Sequence, residues 1–159
     1  PVISNGRVFI CLGNSENIQK TILKIYDSLI LNGYNPEMID IVYKDKINSI
    51  GSNVFNRISA QKMFSLMVMS ELCIITPGNI SYEVFKVGRN CVIGCLNEGQ
   101  IKVARKFEKL NLCNYVGLWD NFERLDLDSI SKNSGKIIST QNQFFKENSL
   151  KKIKSEIWI

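Results

Sequence analysis

The stretch that decides the fold is Leu72–Gly88, which reads LCIITPGNISYEVFKVG. Its first four residues form an unbroken apolar run, as in a central strand that is covered on both faces. Pro77-Gly78 ends that run, because these residues favour turns. The pattern therefore predicts a strand, a tight turn and a helix that begins at Ile80 or Ser81 and is closed by the final glycine of the stretch.

This turn is the first candidate site. A strand that feeds a helix through small residues directs free backbone N–H groups at one place, and the helix dipole favours an anion there, so we predict a phosphate site. Asn79 and Ser81 are also residue types that cap helices. The candidate contacts are Thr76, Gly78, Asn79, Ile80 and Ser81.

Glu83 has two interpretations at this stage. We place it in the first helical turn, where its carboxylate is close enough to bind a sugar hydroxyl beside the phosphate. A carboxylate at that position also stabilises a helix by ~0.3–1 kcal/mol through the macrodipole, without any ligand.

Strands and helices alternate along most of the chain, and the strands are apolar runs. This pattern predicts an α/β, Rossmann-like parallel sheet of about six strands with helices on both faces. The predicted strands are Arg7–Leu12, Met38–Tyr43, Val54–Ile58, Leu72–Ile75, Cys91–Leu96 and Asn114–Gly117. Ligands bind outside the carboxyl ends of such strands, where we expect three turns to converge: Gly13–Asn17, Thr76–Ser81 and Asn97–Gln100.

Two of these turns carry weaker signals. Gly13-Asn14-Ser15 lacks both the GxGxxG spacing of a dinucleotide fold and the GK[ST] ending of a P-loop, so it is either a phosphate contact or a capped helix start. Gln100 opens a predicted helix and either binds a phosphate or hydroxyl or is simply exposed.

The last third of the chain is predicted in four pieces. The segment from Trp119 to Phe122 is a loop whose aromatic residues wall a pocket or pack in the core, and a helix follows it as far as Ile130. We then predict a turn at Ser131–Gly135, a helix over 136–146 and a basic amphipathic helix over 148–159.

Composition narrows the possible functions. The chain has 159 residues, 45% apolar content and a net charge of +5, which fits one domain that favours anionic ligands. It has no histidine, which excludes Ser-His-Asp and Cys-His nucleophiles and histidine metal sites within the chain. The lysines are scattered rather than interleaved with aromatic residues, so a nucleic-acid-binding domain is the least favoured class.

The cysteines and the apolar runs bear on location. There are five cysteines and no CxxC motif, which suits the reducing cytoplasm better than a disulfide framework. No signal peptide or membrane span is recognised. We expect no metal and no cofactor.

These residues resemble a family. The series of strand, turn, Ser-Tyr-Glu, Val-x-Lys-Val-Gly, strand, Asn-Glu-Gly-Gln and helix resembles the C-terminal domain of GT-B-type nucleotide-sugar enzymes. Among these it is most similar to the UDP-sugar hydrolase of pseudaminic acid biosynthesis and its spore-coat polysaccharide relatives, with MurG-type transferases more distant. The resemblance spans about 7–157.

The resemblance implies roles for particular residues. Glu83 matches a glutamate that holds the ribose of UDP, Gly78 and Ser81 match the phosphate turn, and Gly13-Asn14-Ser15 matches a Gly-rich turn. Gln100 matches a residue near the diphosphate or sugar. Three positions depart from the pattern, since Pro77 replaces a glycine, Asn79 replaces a hydroxyl residue and Gly99 replaces an asparagine.

The implied function is that of half an enzyme. Family members have two Rossmann-like domains with the catalytic groups in the N-terminal one, so we expect residues 1–159 to be a single nucleotide-sugar-binding domain, with 1–6 a linker. A fragment of this kind has no catalytic residues and is predicted to be inactive alone, with UDP or a UDP-sugar and the missing N-terminal domain as its partners. The alternative is a non-catalytic nucleotide-sugar sensor.

Overall fold

The computed structural model describes residues 6–48, 50–147 and 155. Six parallel strands form one sheet in the spatial order β3-β2-β1-β4-β5-β6. The strands are β1 Val8–Cys11, β2 Ile39–Val42, β3 Asn53–Phe55, β4 Leu72–Ile75, β5 Asn90–Cys95 and β6 Asn114–Leu118. The α-helices are α1 Ile18–Leu31, α2 Ala60–Met69, α3 Asn79–Val87, α4 Ile101–Lys109 and α5 Leu127–Glu147.

The sheet separates two hydrophobic layers. Leu72 and Ile74 of β4 pack with α1 on one face, whereas Cys73 and Ile75 pack with α2, α3 and α4 on the other. All four side chains are at most 3% exposed, which explains why the strand reads as an unbroken apolar run rather than an alternating one. The predicted parallel sheet of about six strands with helices on both faces is confirmed.

Buried polar side chains close the amino end of the sheet. The Arg89 guanidinium donates to the carbonyl oxygens of Val68 (3.2 Å from Nε) and Gly88 (3.1 Å from Nη1), and so caps the last turns of α2 and α3. Gln141 of α5 donates to the carbonyls of Arg89 (2.9 Å) and Leu112 (2.8 Å), which precede β5 and β6. The negative ends of two helix dipoles stabilise the buried cation, although burial lowers the pKa of Arg89.

The predicted turn at Ser131–Gly135 is wrong. α5 runs through it without interruption, because Ile130, Ile137 and Gln141 are buried along one side of a single helix. Gly135 lies on the exposed side, so the turn-forming residues contact water and do not break the buried stripe. The predicted helix over 148–159 lies outside the described residues, apart from the helical Ser155.

Trp119 is a packing residue. It opens a 3-10 turn after β6 and is 1% exposed, with its ring centroid 5.2 Å from that of Phe122. A methyl group placed on Gly94 of β5 would clash with the indole of Trp119. Of the two interpretations of these aromatic residues, core packing is therefore right.

All five cysteines carry free thiols, and four of them are buried. Among the helices of the described ranges, none combines the length and the apolar character needed to cross a bilayer.

Candidate functional site

The order of the strands reverses between β1 and β4. The helix after β1 lies on one face of the sheet and the helix after β4 on the other, so a crevice opens between their starting points at the carboxyl edge. Open α/β sheets bind ligands at such a switch point. This crevice is therefore the candidate site.

The structure brings the three predicted turns to this edge, because they follow the adjacent strands β1, β4 and β5. A methyl group placed on Gly13 would lie 3.8 Å from Cδ1 of Leu96, the residue after β5. The first and third turns thus meet across the end of the central strand β4.

The turn after β4 is held by one buried hydroxyl. Ser81 is fully buried, and its Oγ accepts from the Gly78 N–H at 3.2 Å and donates to the Thr76 carbonyl at 3.2 Å. Neither Asn79 nor Ser81 is the N-cap, because α3 begins at Asn79 and Gly78 takes the capping position. Ser81 is the third residue of α3, and its hydroxyl joins the Gly78 N–H to the Thr76 carbonyl across the turn.

The start of α3 is open toward the crevice. Gly78 has extended backbone (φ 163°), and a methyl group placed on it would meet no atom within 4 Å. The N–H groups of Asn79 and Ile80 occupy the first two helical positions, which have no acceptor within a helix. No acidic residue lies in the first turn, so the positive end of this helix dipole is uncompensated within the helix.

Thr76 adds a hydroxyl to the same place. The residue as a whole is 8% exposed, and its carbonyl accepts from the Ser81 hydroxyl. Because Leu72 and Ile74 face α1, strand alternation places the Thr76 side chain on the α1 side of the crevice.

Glu83 lies in the second turn of α3, as its fifth residue, and not in the first turn as predicted. The macrodipole effect falls off within the first turn, so a purely helix-stabilising role is a weaker explanation for this residue than the sequence suggested. Glu83 is exposed and lines a cavity of about 630 Å³ between α2 and α3, whose apolar wall includes Ala60, Phe64 and Val68.

Cys11 is the last residue of β1 and is influenced by Glu83. Burial raises the pKa of the Cys11 thiol, a hydrogen bond from the Gly13 backbone lowers it, and the Glu83 carboxylate raises it. Glu83 therefore lies within electrostatic reach of the end of β1.

The other predicted residues differ in their exposure and in the hydrogen bonds that they make. Gly13 has φ +88°, which favours glycine, and Asn14 and Ser15 are exposed. Asn17 takes the N-cap position of α1 without a side-chain hydrogen bond. Gln100 is half-buried, and its Oε1 accepts from the Leu96 N–H at 2.8 Å, so it ties the end of β5 to the start of α4.

No family model and no curated protein sequence matches this chain. Solved structures share its fold. The glycotransferase of kitacinnamycin superposes with a TM-score of 0.59 at 11% identity, over 90% of this chain and 39% of that one. A putative UDP-N-acetylglucosamine 2-epimerase from Listeria monocytogenes superposes with a TM-score of 0.56 at 14% identity, over 83% of this chain and 39% of that one. The glycosyltransferase SnogD from Streptomyces nogalater superposes with a TM-score of 0.55 at 9% identity, over 89% of this chain and 40% of that one.

The chain has a GT-B-like fold. Identities this low show the fold alone, and the chain spans about two fifths of the length of each of these structures. In a domain of this type the carboxyl edge of the sheet is the place to look for a ligand, and that edge is where the predicted turns lie.

Sequence reasoning missed two features of the structure near Glu83. The cysteine count did not single out Cys11, which is only half-buried at the end of β1. The cavity wall supplied by Ala60, Phe64 and Val68 was missed as well, although these residues recur every four positions along α2, which is a helical face. Within the described ranges, no three Cys, Asp or Glu side chains come together to hold a metal ion.

Proposed function

We propose that this chain is the UDP-sugar-binding C-terminal half of a two-domain nucleotide-sugar enzyme. The enzyme is a hydrolase or a glycosyltransferase of surface polysaccharide or nonulosonic acid biosynthesis, and it acts in the cytoplasm. The observation that carries the proposal is the open start of α3 at the switch point, with the exposed Glu83 beside it. Structures that are named as glycosyltransferases and as a UDP-N-acetylglucosamine epimerase support the nucleotide-sugar class.

Each part of the crevice has a role in this proposal. The N–H groups of Asn79 and Ile80 hold phosphate oxygens, and the helix dipole stabilises the negative charge that develops on the UDP leaving group. Glu83 accepts hydrogen bonds from the ribose hydroxyls. Gly13, Asn14 and Ser15 form the opposite wall, and Gln100 shapes the third turn by holding Leu96.

The chemistry itself is assigned to groups outside this chain. The chain has no histidine, and the crevice holds no pair of acid and base groups among the residues identified above. We therefore propose that an N-terminal Rossmann-like domain supplies the general base and the acceptor site, and that this chain alone binds nucleotide without turning it over. The reading frame upstream of Pro1 tests this directly, because a sensor without a partner domain would have no such region.

The proposal is tested by titrating the chain with UDP in a calorimeter. Glu83→Gln keeps the shape of the side chain and removes its charge, so we expect about tenfold weaker binding, the size of one lost charge-assisted hydrogen bond. Glu37→Gln is the matched control, since Glu37 is exposed and precedes β2 at the amino end of the sheet. Equal affinities in both variants would remove Glu83 from the site, and no UDP binding at millimolar concentration would overturn the proposal.

A thermal-shift panel of UDP, GDP, CMP and UDP-N-acetylglucosamine then tests the nucleotide class. We expect the two uridine compounds to stabilise the chain most, because a ligand that binds the folded state raises its melting temperature. A larger shift with GDP would contradict the assignment to uridine.

A further inference from the structure

The groove between α2 and α3 presents an apolar wall to solvent. It encloses about 630 Å³, and its α2 side is formed by Ala60, Phe64 and Val68, which lie on one face of that helix. Phe64 is 53% exposed and is one of four large hydrophobic side chains that are exposed within the described ranges. An exposed aromatic ring inside an apolar groove indicates a surface that another segment covers.

The segment 148–159, which reads NSLKKIKSEIWI, carries apolar residues at the spacing that such a groove accepts. Leu150, Ile153 and Ile157 are three and four positions apart, so they share one face of a helix. Ser155 is described in the structure, and it is helical and exposed. It stands two positions from both isoleucines, which places it on the opposite side of the helix. The side of this helix that faces water is therefore the polar one.

The chain enters this segment beside the groove. α5 packs against α3 and ends at Glu147. A methyl group placed on Gly88 would lie 2.6 Å from the side-chain oxygen of Asn142 on α5, and the residues on both sides of Gly88 line the groove. Leu150 is the third residue after α5, and three residues span up to ~10 Å. The start of the segment is thus within reach of one end of the groove.

The lengths of the groove and of the apolar stripe agree. The α2 wall from Ala60 to Val68 covers ~12 Å of helix, and the stripe from Leu150 to Ile157 covers ~11 Å. A tethered segment also has an effective concentration on the order of millimolar. A second molecule would need an interface of roughly 1,200–2,000 Å², which is more surface than a groove of this length offers. The tethered segment is therefore the favoured occupant.

We infer that residues 148–159 form a helix that packs into the α2–α3 groove of the same chain. Leu150, Ile153 and Ile157 enter the groove and cover Phe64, and Trp158 lies at its edge. The inference is independent of the proposed function, because it involves neither UDP nor the turn after β4.

Acrylamide quenching of Trp158 fluorescence in the full chain tests this inference. The chain has two tryptophans, and Trp119 is 1% exposed, so the difference from Trp158→Phe isolates the signal of Trp158. We expect a quenching constant about twofold lower than that of N-acetyltryptophanamide. Phe64→Asp places a charge in the groove and should raise the constant about twofold, because an unpaired charge disfavours burial.

Two controls separate docking from a general effect of added charge. Leu31→Asp changes another exposed hydrophobic residue, at the end of α1 on the other face of the sheet, and should leave the quenching unchanged. Ile153→Asp should raise the quenching as Phe64→Asp does, whereas Ser155→Asp on the exposed side of the same helix should not.

Three outcomes would overturn the inference. The first is a native Trp158 that is quenched as readily as N-acetyltryptophanamide. The second is unaltered quenching in folded Phe64→Asp or in Ile153→Asp, which keeps the test available if the substitution on α2 does not fold. The third is quenching that rises when the protein is diluted, since this would place the segment on a second copy of the chain.

Discussion

The two ends of the parallel sheet use polar groups in opposite ways. At the amino end, the buried Arg89 and Gln141 donate to backbone carbonyls within the chain. At the carboxyl end, a methyl group placed on Gly78 would meet no atom within 4 Å, and no acidic residue lies in the first turn of α3. Donors that are paired internally stabilise the fold, although the Gln141 Oε1 has no partner among the described residues, whereas groups that face open space are available to a ligand. Under the proposed function, the amino end stabilises the fold and the carboxyl end binds the ligand.

The largest effect is expected at the amino end. Gln141→Ala leaves the carbonyls of Arg89 and Leu112 without their buried donor, so it should lower the free energy of unfolding by ~2–4 kcal/mol. Urea denaturation measures this loss, and the exposed Gln143→Ala on the same helix should change stability by less than ~0.5 kcal/mol. Folded Gln141→Ala should bind UDP normally, and a parallel loss of affinity would break the separation of the two ends.

Two glycines at the carboxyl end should behave differently. Gly13→Ala forces a left-handed backbone (φ +88°) and should cost ~1–2 kcal/mol of stability. Gly78 has extended backbone and open space around it. Gly78→Ala should therefore lower the free energy of unfolding by no more than ~1 kcal/mol, because alanine caps a helix less well than glycine.

The same pair separates stability from binding. Because the new methyl group on Gly78 would occupy the space proposed for a phosphate, UDP should bind about tenfold more weakly to Gly78→Ala, by calorimetry, despite its near-normal stability. An unchanged affinity would mean that the open space beside Gly78 is not the phosphate position.

Alkaline pH should weaken the amino end. Burial, followed by the charge and hydrogen bond of Glu71, raises the pKa of Tyr34 to about 12 from its ordinary value of 10.0. The unfolded chain releases this proton first, so Tyr34 contributes stability that is complete below pH 10 and is lost as the pH rises toward 12. Tyr34→Phe should show a smaller decline in unfolding free energy over this range, and an identical decline would contradict the assignment.

The smallest effect concerns the thiols. Cys11 is half-buried at the crevice, whereas burial raises the pKa of Cys73 to about 12 and protects the thiol from reagents. A maleimide reagent should therefore label Cys11 first in the native chain, and saturating UDP should slow that labelling severalfold. Mass spectrometry of the labelled peptides reads this out, and labelling of Cys73 before Cys11 would contradict the fold at β1 and β4.

Sequence reasoning was most successful where hydrophobic pattern and turn residues agree. The unbroken run of Leu72–Ile75 predicted a central parallel strand, and Gly88 marked the end of α3 correctly. It failed at Ser131–Gly135, because the continuous buried side of α5 overrides local turn preference. The roles of individual site residues depend on which hydrogen bonds form. The sequence presented Ser81 as a ligand contact, but only the folded turn shows its hydroxyl bound to Gly78 and Thr76.

The most direct test of the central claim is an amide NMR titration of the chain with UDP. If a phosphate rests on the start of α3, the backbone amides of Asn79 and Ile80 should show the largest chemical-shift changes, and those of Arg89 and Gln141 at the opposite end should stay fixed. Changes that are confined to the amino end, or absent at the start of α3 under saturating UDP, would contradict the account.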